Sequence, residues 1–147
     1  MGLHEEKLAT FTFADQVFHV DSIPEDLKID HAFECVGGSA VQSVVDQIID
    51  HIAPEGTIAL MGVSENAVPI NTRMVLEKGL RLFGSSRSGK KDFEMVMQLY
   101  REYPKLSDYL LNLVNNVIDV KNTSDMLSAF ECDRNCSFGK TIMHWEV

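Results

Sequence analysis

The feature that most constrains this chain is an apolar pattern that changes period within a few residues. Positions 41, 44, 45, 48, 49 and 52 are Val, Val, Val, Ile, Ile and Ile. That i, i+3, i+4, i+7, i+8, i+11 spacing places six branched side chains on one face of an α-helix. Ser39 is the expected N-cap, and Pro54-Glu55-Gly56 stops the helix. Residues 57–63 follow as a nearly unbroken apolar run, the pattern of a strand covered on both faces. Residues 29–36, ending in Gly37-Gly38, predict another strand ahead of the helix. Strand, helix and strand in this order make a βαβ unit with parallel strands and a right-handed crossover.

The same alternation runs through the rest of the chain. Residues 17–20 predict a short first strand. Residues 71–78 predict a helix closed by Gly79, and 80–86 a further strand. A helix over 92–103 carries Phe93, Val96, Met97 and Tyr100 on one side and is broken by Pro104. Helix resumes over 107–116. A strand at 117–120, a helix capped by Thr123 or Ser124, and a final strand over 140–145 complete the pattern. The expected fold is α/β, a doubly wound parallel sheet, read as a single domain over 1–147.

Composition narrows the function classes. The chain has 147 residues, with Lys plus Arg 13 and Asp plus Glu 22, a formal charge of -9. Nucleic-acid binders carry basic stripes, so no nucleic-acid partner is expected. No run of 18 apolar residues exists, so no membrane partner is expected, and residues 1–7 lack a signal-peptide apolar core. Three cysteines do not make a disulfide framework, which suits a cytoplasmic location.

In parallel α/β sheets, ligands bind beyond the carboxyl ends of the strands. Those ends read Cys35-Val36-Gly37-Gly38, Met61-Gly62-Val63-Ser64 and Gly84-Ser85-Ser86. Each offers glycine or a small residue where a ligand needs close backbone approach. After the third come Arg87, Lys90 and Lys91, a basic cluster just ahead of a helix start, the kind of place that suits a phosphate. Cys132, Cys136 and His144 do not have a standard zinc spacing.

Several stretches carry a family resemblance: residues 30–38 (DHAFECVGG), 56–63 (GTIALMGV), 84–86 (GSS) and 139–142 (GKTI). They resemble the cofactor domain of zinc-dependent medium-chain alcohol dehydrogenases. Residues 71–79 (NTRMVLEKG) with 84–89 (GSSRSG) resemble, within that family, the ribulose-5-phosphate reductases, which make ribitol 5-phosphate. The resemblance implies a partial Rossmann-like sheet without its first two strands, since the family's G-x-G-x-x-G turn is absent from this sequence. It also implies the C-terminal portion of an enzyme, with residues from about 117 to 147 belonging to or returning toward a missing catalytic lobe that carries the zinc ligands.

By the same resemblance, Cys35, Val36 and Gly37 pass the ribose and nicotinamide of NADP or NAD. Met61, Gly62 and Val63 line the nicotinamide face, Gly84 and Ser85 offer backbone contacts, and Lys140 reaches the pyrophosphate. On their own spacing, and apart from the resemblance, Arg87, Lys90 and Lys91 are expected to hold the phosphate of a sugar-phosphate substrate or of NADP. Gly2 stands where NAD-preferring relatives carry an acidic residue, and Lys7 where a lysine contacts the adenosine ribose. Zinc is implied only for the complete enzyme, no catalytic residue is assigned within the chain, and no cofactor is expected to bind it tightly. A homodimer through sheet edges is expected, with the strand at 80–86 as the candidate edge. The alternative is a non-catalytic partial nucleotide fold or assembly module, favoured by the missing glycine turn and missing zinc ligands.

Overall fold

The computed structural model describes residues 1–136 and 138–145. In chain order the elements are α1 (Glu5–Leu8), β1 (Ile29–Glu34), a 3₁₀ turn (Gly38–Ala40), α2 (Val41–His51), β2 (Ile52–Leu60), α3 (Thr72–Lys78), β3 (Arg81–Gly84), α4 (Lys90–Glu102), α5 (Lys105–Leu111), β4 (Val114–Val120), α6 (Thr123–Asn135) and β5 (Lys140–Trp145). The chain is α/β and divides into two compact units. One is Ile23–Ser88; the other joins Met1–Ser22 to Gly89–Val147.

The unit Ile23–Ser88 holds a parallel sheet of order β1-β2-β3. Its core follows from the helical stripe: Val41, Val45, Ile48 and Ile49 of α2 are buried with Ile52, Ile58 and Leu80. Ala32, Ile58 and Leu82 stand in register across the three strands and pack into this core. On the opposite sheet face Phe33, Ala59 and Phe83 stand in register, and both phenylalanines are exposed. α3 has the ends its sequence predicts. Asn71 Oδ1 accepts the Met74 N–H at 3.2 Å, and Gly79 closes the helix in the left-handed region at φ 63°.

The other unit holds a two-stranded parallel sheet, β4-β5, with α6 packed on it. Asn122 caps α6, its Oδ1 accepting from Ser124 and Asp125 at 2.8 and 3.1 Å, rather than Thr123 or Ser124. Among the described residues only Val120 and Ala129 of this unit are fully buried apolar groups. The apolar side of α4 is largely open, with Phe93, Val96 and Met97 exposed.

Four local expectations are corrected. Residues 17–20 form no strand; among the described residues an isolated bridge joins Gly2 and His19. Ser39 lies inside the 3₁₀ turn, and Ala40 is the N-cap of α2. β1 stops at Glu34, not at Val36, so Cys35 and Val36 lie in the turn and are exposed. Helix does not run through 107–116: α5 ends at Leu111, and Val114 pairs instead with Lys140 in the sheet. The expectation about residues 117–147 includes 137, 146 and 147, which lie outside the described residues. Among the described residues no helix is long and apolar enough to cross a membrane.

Candidate functional site

Register pairing lines up the ends of the three strands in unit Ile23–Ser88. Glu34 stands opposite Leu60, and Leu60 opposite Gly84. The turns leaving these positions therefore emerge side by side. They carry Cys35, Val36 and Gly37 after β1, Met61, Gly62 and Val63 after β2, and Gly84 with Ser85 at the end of β3. Cys35, Val36, Met61, Val63, Gly84 and Ser85 are exposed, and Val63 is 83% so. The edge offers apolar side chains and small groups to an incoming flat ring.

Glycine is required at two of these positions. Gly37 has φ +69°, and a Cβ there would stand 3.0 Å from the Val63 carbonyl oxygen. At Gly62 a Cβ would fall 2.5 Å from Glu34 Oε1 and from the Gly37 nitrogen. The cause is a carboxylate the sequence reading passed over. Glu34 is buried, and its side chain accepts the N–H groups of Val36, Gly37 and Gly62 at 2.7, 3.2 and 3.0 Å. The amides of Met61 and Gly62 also donate to the Glu34 main-chain carbonyl, and the Gly38 amide to that of Val63. Beside these turns lies a hollow of about 400 Å³, lined by Gly38, Ser39, Gln42, Ser64, Glu65, Asn66, Ala67, Val68 and Pro69.

The remaining expected residues are spread over both units. Arg87 follows β3, exposed, at φ 68°. Lys90 and Lys91 open α4, and Lys140 opens β5; all three belong to the other unit. At the start of α4 the Asp92 carboxylate accepts the Gly89 N–H at 2.7 Å, and Lys90 lies 3.5 Å from Glu94. The α4 terminus thus already carries its own carboxylate. Lys7 Nζ stands 6.0 Å from the Phe138 ring centre. His144 Nδ1 pairs with Asp119 at 2.8 Å, and Cys136 Sγ meets the Asn115 side chain and the Phe138 carbonyl.

The family model described as zinc-binding dehydrogenase matches residues 7–102. This chain belongs to the zinc-binding dehydrogenase family. Among its relatives is ribulose-5-phosphate reductase 2 of Staphylococcus aureus, 54% identical over 146 residues, covering 99% of this chain and 43% of the relative. The ribulose-5-phosphate reductase of Bacillus spizizenii is 48% identical over 141 residues, covering 96% of this chain and 41% of the relative. The crystal structure of S. aureus TarJ in complex with NADPH superposes with a TM-score of 0.94 at 51% identity, covering 98% of this chain and 45% of that one. The chain thus spans less than half the length of the relatives it matches. Among the described residues no three His, Cys, Asp or Glu side chains converge as metal ligands.

Proposed function

We propose that this chain forms the nicotinamide-facing edge of an enzyme that reduces ribulose 5-phosphate to ribitol 5-phosphate with NADPH. The observation that carries the reading is the 54% identity, over nearly the whole chain, to a ribulose-5-phosphate reductase. The aligned strand ends support it. An apolar, glycine-lined edge fits the flat nicotinamide ring, from which a hydride passes to the substrate carbonyl carbon. Cys35, Val36, Gly37, Met61, Gly62, Val63, Gly84 and Ser85 carry this contact. Arg87 is proposed as a partner for a phosphate; Lys90 and Lys91, on the other unit, retain the phosphate role their spacing suggests, and Lys140, also there, the role the family resemblance implies. The setting proposed is the cytoplasm, where reduced nicotinamide and sugar phosphates are available.

The test follows loss of reduced-nicotinamide absorbance with the complete polypeptide that contains this chain. Ribulose 5-phosphate should be reduced, and unphosphorylated ribulose at least about tenfold less well, since a bound phosphate contributes charge-assisted hydrogen bonds. Equal rates with both, or no turnover, would remove the reading. The 147-residue chain assayed alone should be inactive, because it has neither the pyrophosphate-binding glycine turn nor a group of zinc ligands among its described residues.

We further propose that the protein self-associates along β3. This strand ends the order β1-β2-β3 and exposes Phe83 on one face. An unpaired strand edge is a ready template for a second copy. Light scattering at about 100 μM should give a dimer mass, and Phe83→Lys should shift it to monomer. A monomer for the unaltered chain would exclude this edge.

A further inference from the structure

Glu34 is the one buried charged side chain among the described residues, 1% exposed. A carboxylate taken out of water is costly unless hydrogen bonds replace its solvation. Here three peptide N–H groups do so. Oε1 accepts from Val36 and Gly37, in the turn after β1. Oε2 accepts from Gly62, in the turn after β2. Two turns distant in sequence are thereby fastened to the two oxygens of one group.

This arrangement excludes one role and defines another. Both oxygens are taken up by amides and the side chain is sealed from solvent, so Glu34 cannot exchange a proton with a substrate. The same bonds turn the amides of Val36, Gly37 and Gly62 inward. What the edge then presents outward is the side chains of Val36, Met61 and Val63, which are exposed. We propose that Glu34 is a positioning residue, whose carboxylate clamps the turns after β1 and β2 into a single edge and so fixes the surface that receives the nicotinamide. The proposal rests on the reading of that edge as the cofactor face.

The chemistry demands a carboxylate. All three partners are donors, so only a group with acceptors on both ends satisfies them. Glutamine keeps the volume but must aim its NH₂ at a peptide N–H on one side or the other. Keeping its oxygen on Val36 and Gly37 preserves two bonds and releases Gly62. The carboxylate then no longer joins the two turns, which keep only the main-chain bonds from Met61 and Gly62 to the Glu34 carbonyl and from Gly38 to that of Val63. A Cβ at Gly62 would meet the same carboxylate from the opposite side, which shows how little room the clamp leaves.

The experiment compares the unaltered sequence with Glu34→Gln and Glu34→Asp. In the ¹⁵N-labelled 147-residue chain, Glu34→Gln should raise amide exchange at Gly62, or at Val36 and Gly37, by about tenfold or more, while α2 amides are unchanged. In the complete polypeptide, the dissociation constant for NADPH should rise about tenfold, while that for 2′-phospho-ADP-ribose, which lacks the nicotinamide, changes less than about twofold. Glu34→Asp keeps acceptors on both sides but is one methylene short, and should give the same selectivity with a smaller loss. It carries the test if the glutamine variant does not fold. Unchanged exchange at all three amides, or equal weakening of both nucleotides, would overturn the proposal, since general destabilisation moves both together. An unaltered polypeptide that binds neither nucleotide would instead overturn the cofactor reading, and the exchange measurement would still decide the clamp.

Discussion

Gly62 lies in the turn after β2 and Gly84 ends the neighbouring β3, yet the same added methyl meets different surroundings at each. At Gly62 it would collide with a buried carboxylate and a backbone nitrogen at 2.5 Å, both held in place by hydrogen bonds. At Gly84 the nearest atom is the Leu60 carbonyl oxygen at 3.6 Å, an ordinary contact. Gly62→Ala should therefore cost about 1–3 kcal/mol, the range for forcing extra volume into a packed site. Gly84→Ala should stay within about 0.5 kcal/mol. Thermal or urea unfolding of the two variants reads this directly; equal losses would mean that the Glu34 clamp yields. Gly84→Ala carries a second expectation, because its methyl projects from the edge proposed to receive the cofactor. In the complete polypeptide it should weaken NADPH about tenfold while leaving the fold intact.

At the scale of elements, the ends of α2 show what holds the helix against the sheet. The Lys78 ammonium, from the last turn of α3, donates to the carbonyls of Ile49, Asp50 and Ile52 at 2.5, 3.1 and 3.0 Å. These are carbonyls that the helix terminus leaves without helical partners. Lys78→Met keeps the stem and removes the charge, and should cost about 1.5–3 kcal/mol, the range for hydrogen bonds to a charged group. An unchanged urea midpoint would show that water replaces the ammonium at no loss. The helix itself was legible in the sequence because its stripe is strictly periodic. Its junction with β2 was not. Ile52 completes the helical stripe and also opens the strand, pairing with Ile29; the register then slips so that His31 meets Thr57, with Glu55 at φ 64° inside the slip. Residues 17–20 have local strand propensity, but a strand exists only through its neighbour, and among the described residues the bridge found there is the isolated one between Gly2 and His19. Val114 fits the apolar spacing of α5 equally well, and only its pairing with β5 makes it a strand residue. The strand-end glycines were visible as residue types beside the strands, although Gly62 is required only by atoms of Glu34 and Gly37, and Gly84 meets no close contact. Glu34 was not, because one acidic residue in an apolar run acquires meaning only when two distant turns bring three amides to it.

Across the whole molecule, buried apolar surface is unevenly shared. Val41, Val45, Ile48, Ile49, Ile52, Ile58, Ala59 and Leu80, all in unit Ile23–Ser88, are buried; the other unit contributes Val120 and Ala129. Phe11, Phe13, Phe93, Met95 and Met97 of that other unit are exposed. Burial of apolar area is the dominant favourable term in folding, so the two units should not open with equal free energy. α4 and α5 carry no fully buried residue, and helices of 13 and 7 residues are marginal in water on their own hydrogen bonds. Native-state hydrogen exchange should therefore find amides of α2 and β2 exchanging at least about 100-fold more slowly than those of α4 and α5, a difference of about 2.7 kcal/mol in opening free energy. Limited proteolysis should cut first within 90–111, and the fragment that survives longest should retain 23–88. If both units instead exchange as one, with a single rate for their slowest amides, the stability of the chain is cooperative across 88/89 and the division of buried surface does not set it. The distinction bears on the edge at Gly62 and Gly84, which belongs to the unit with more buried apolar residues among those described.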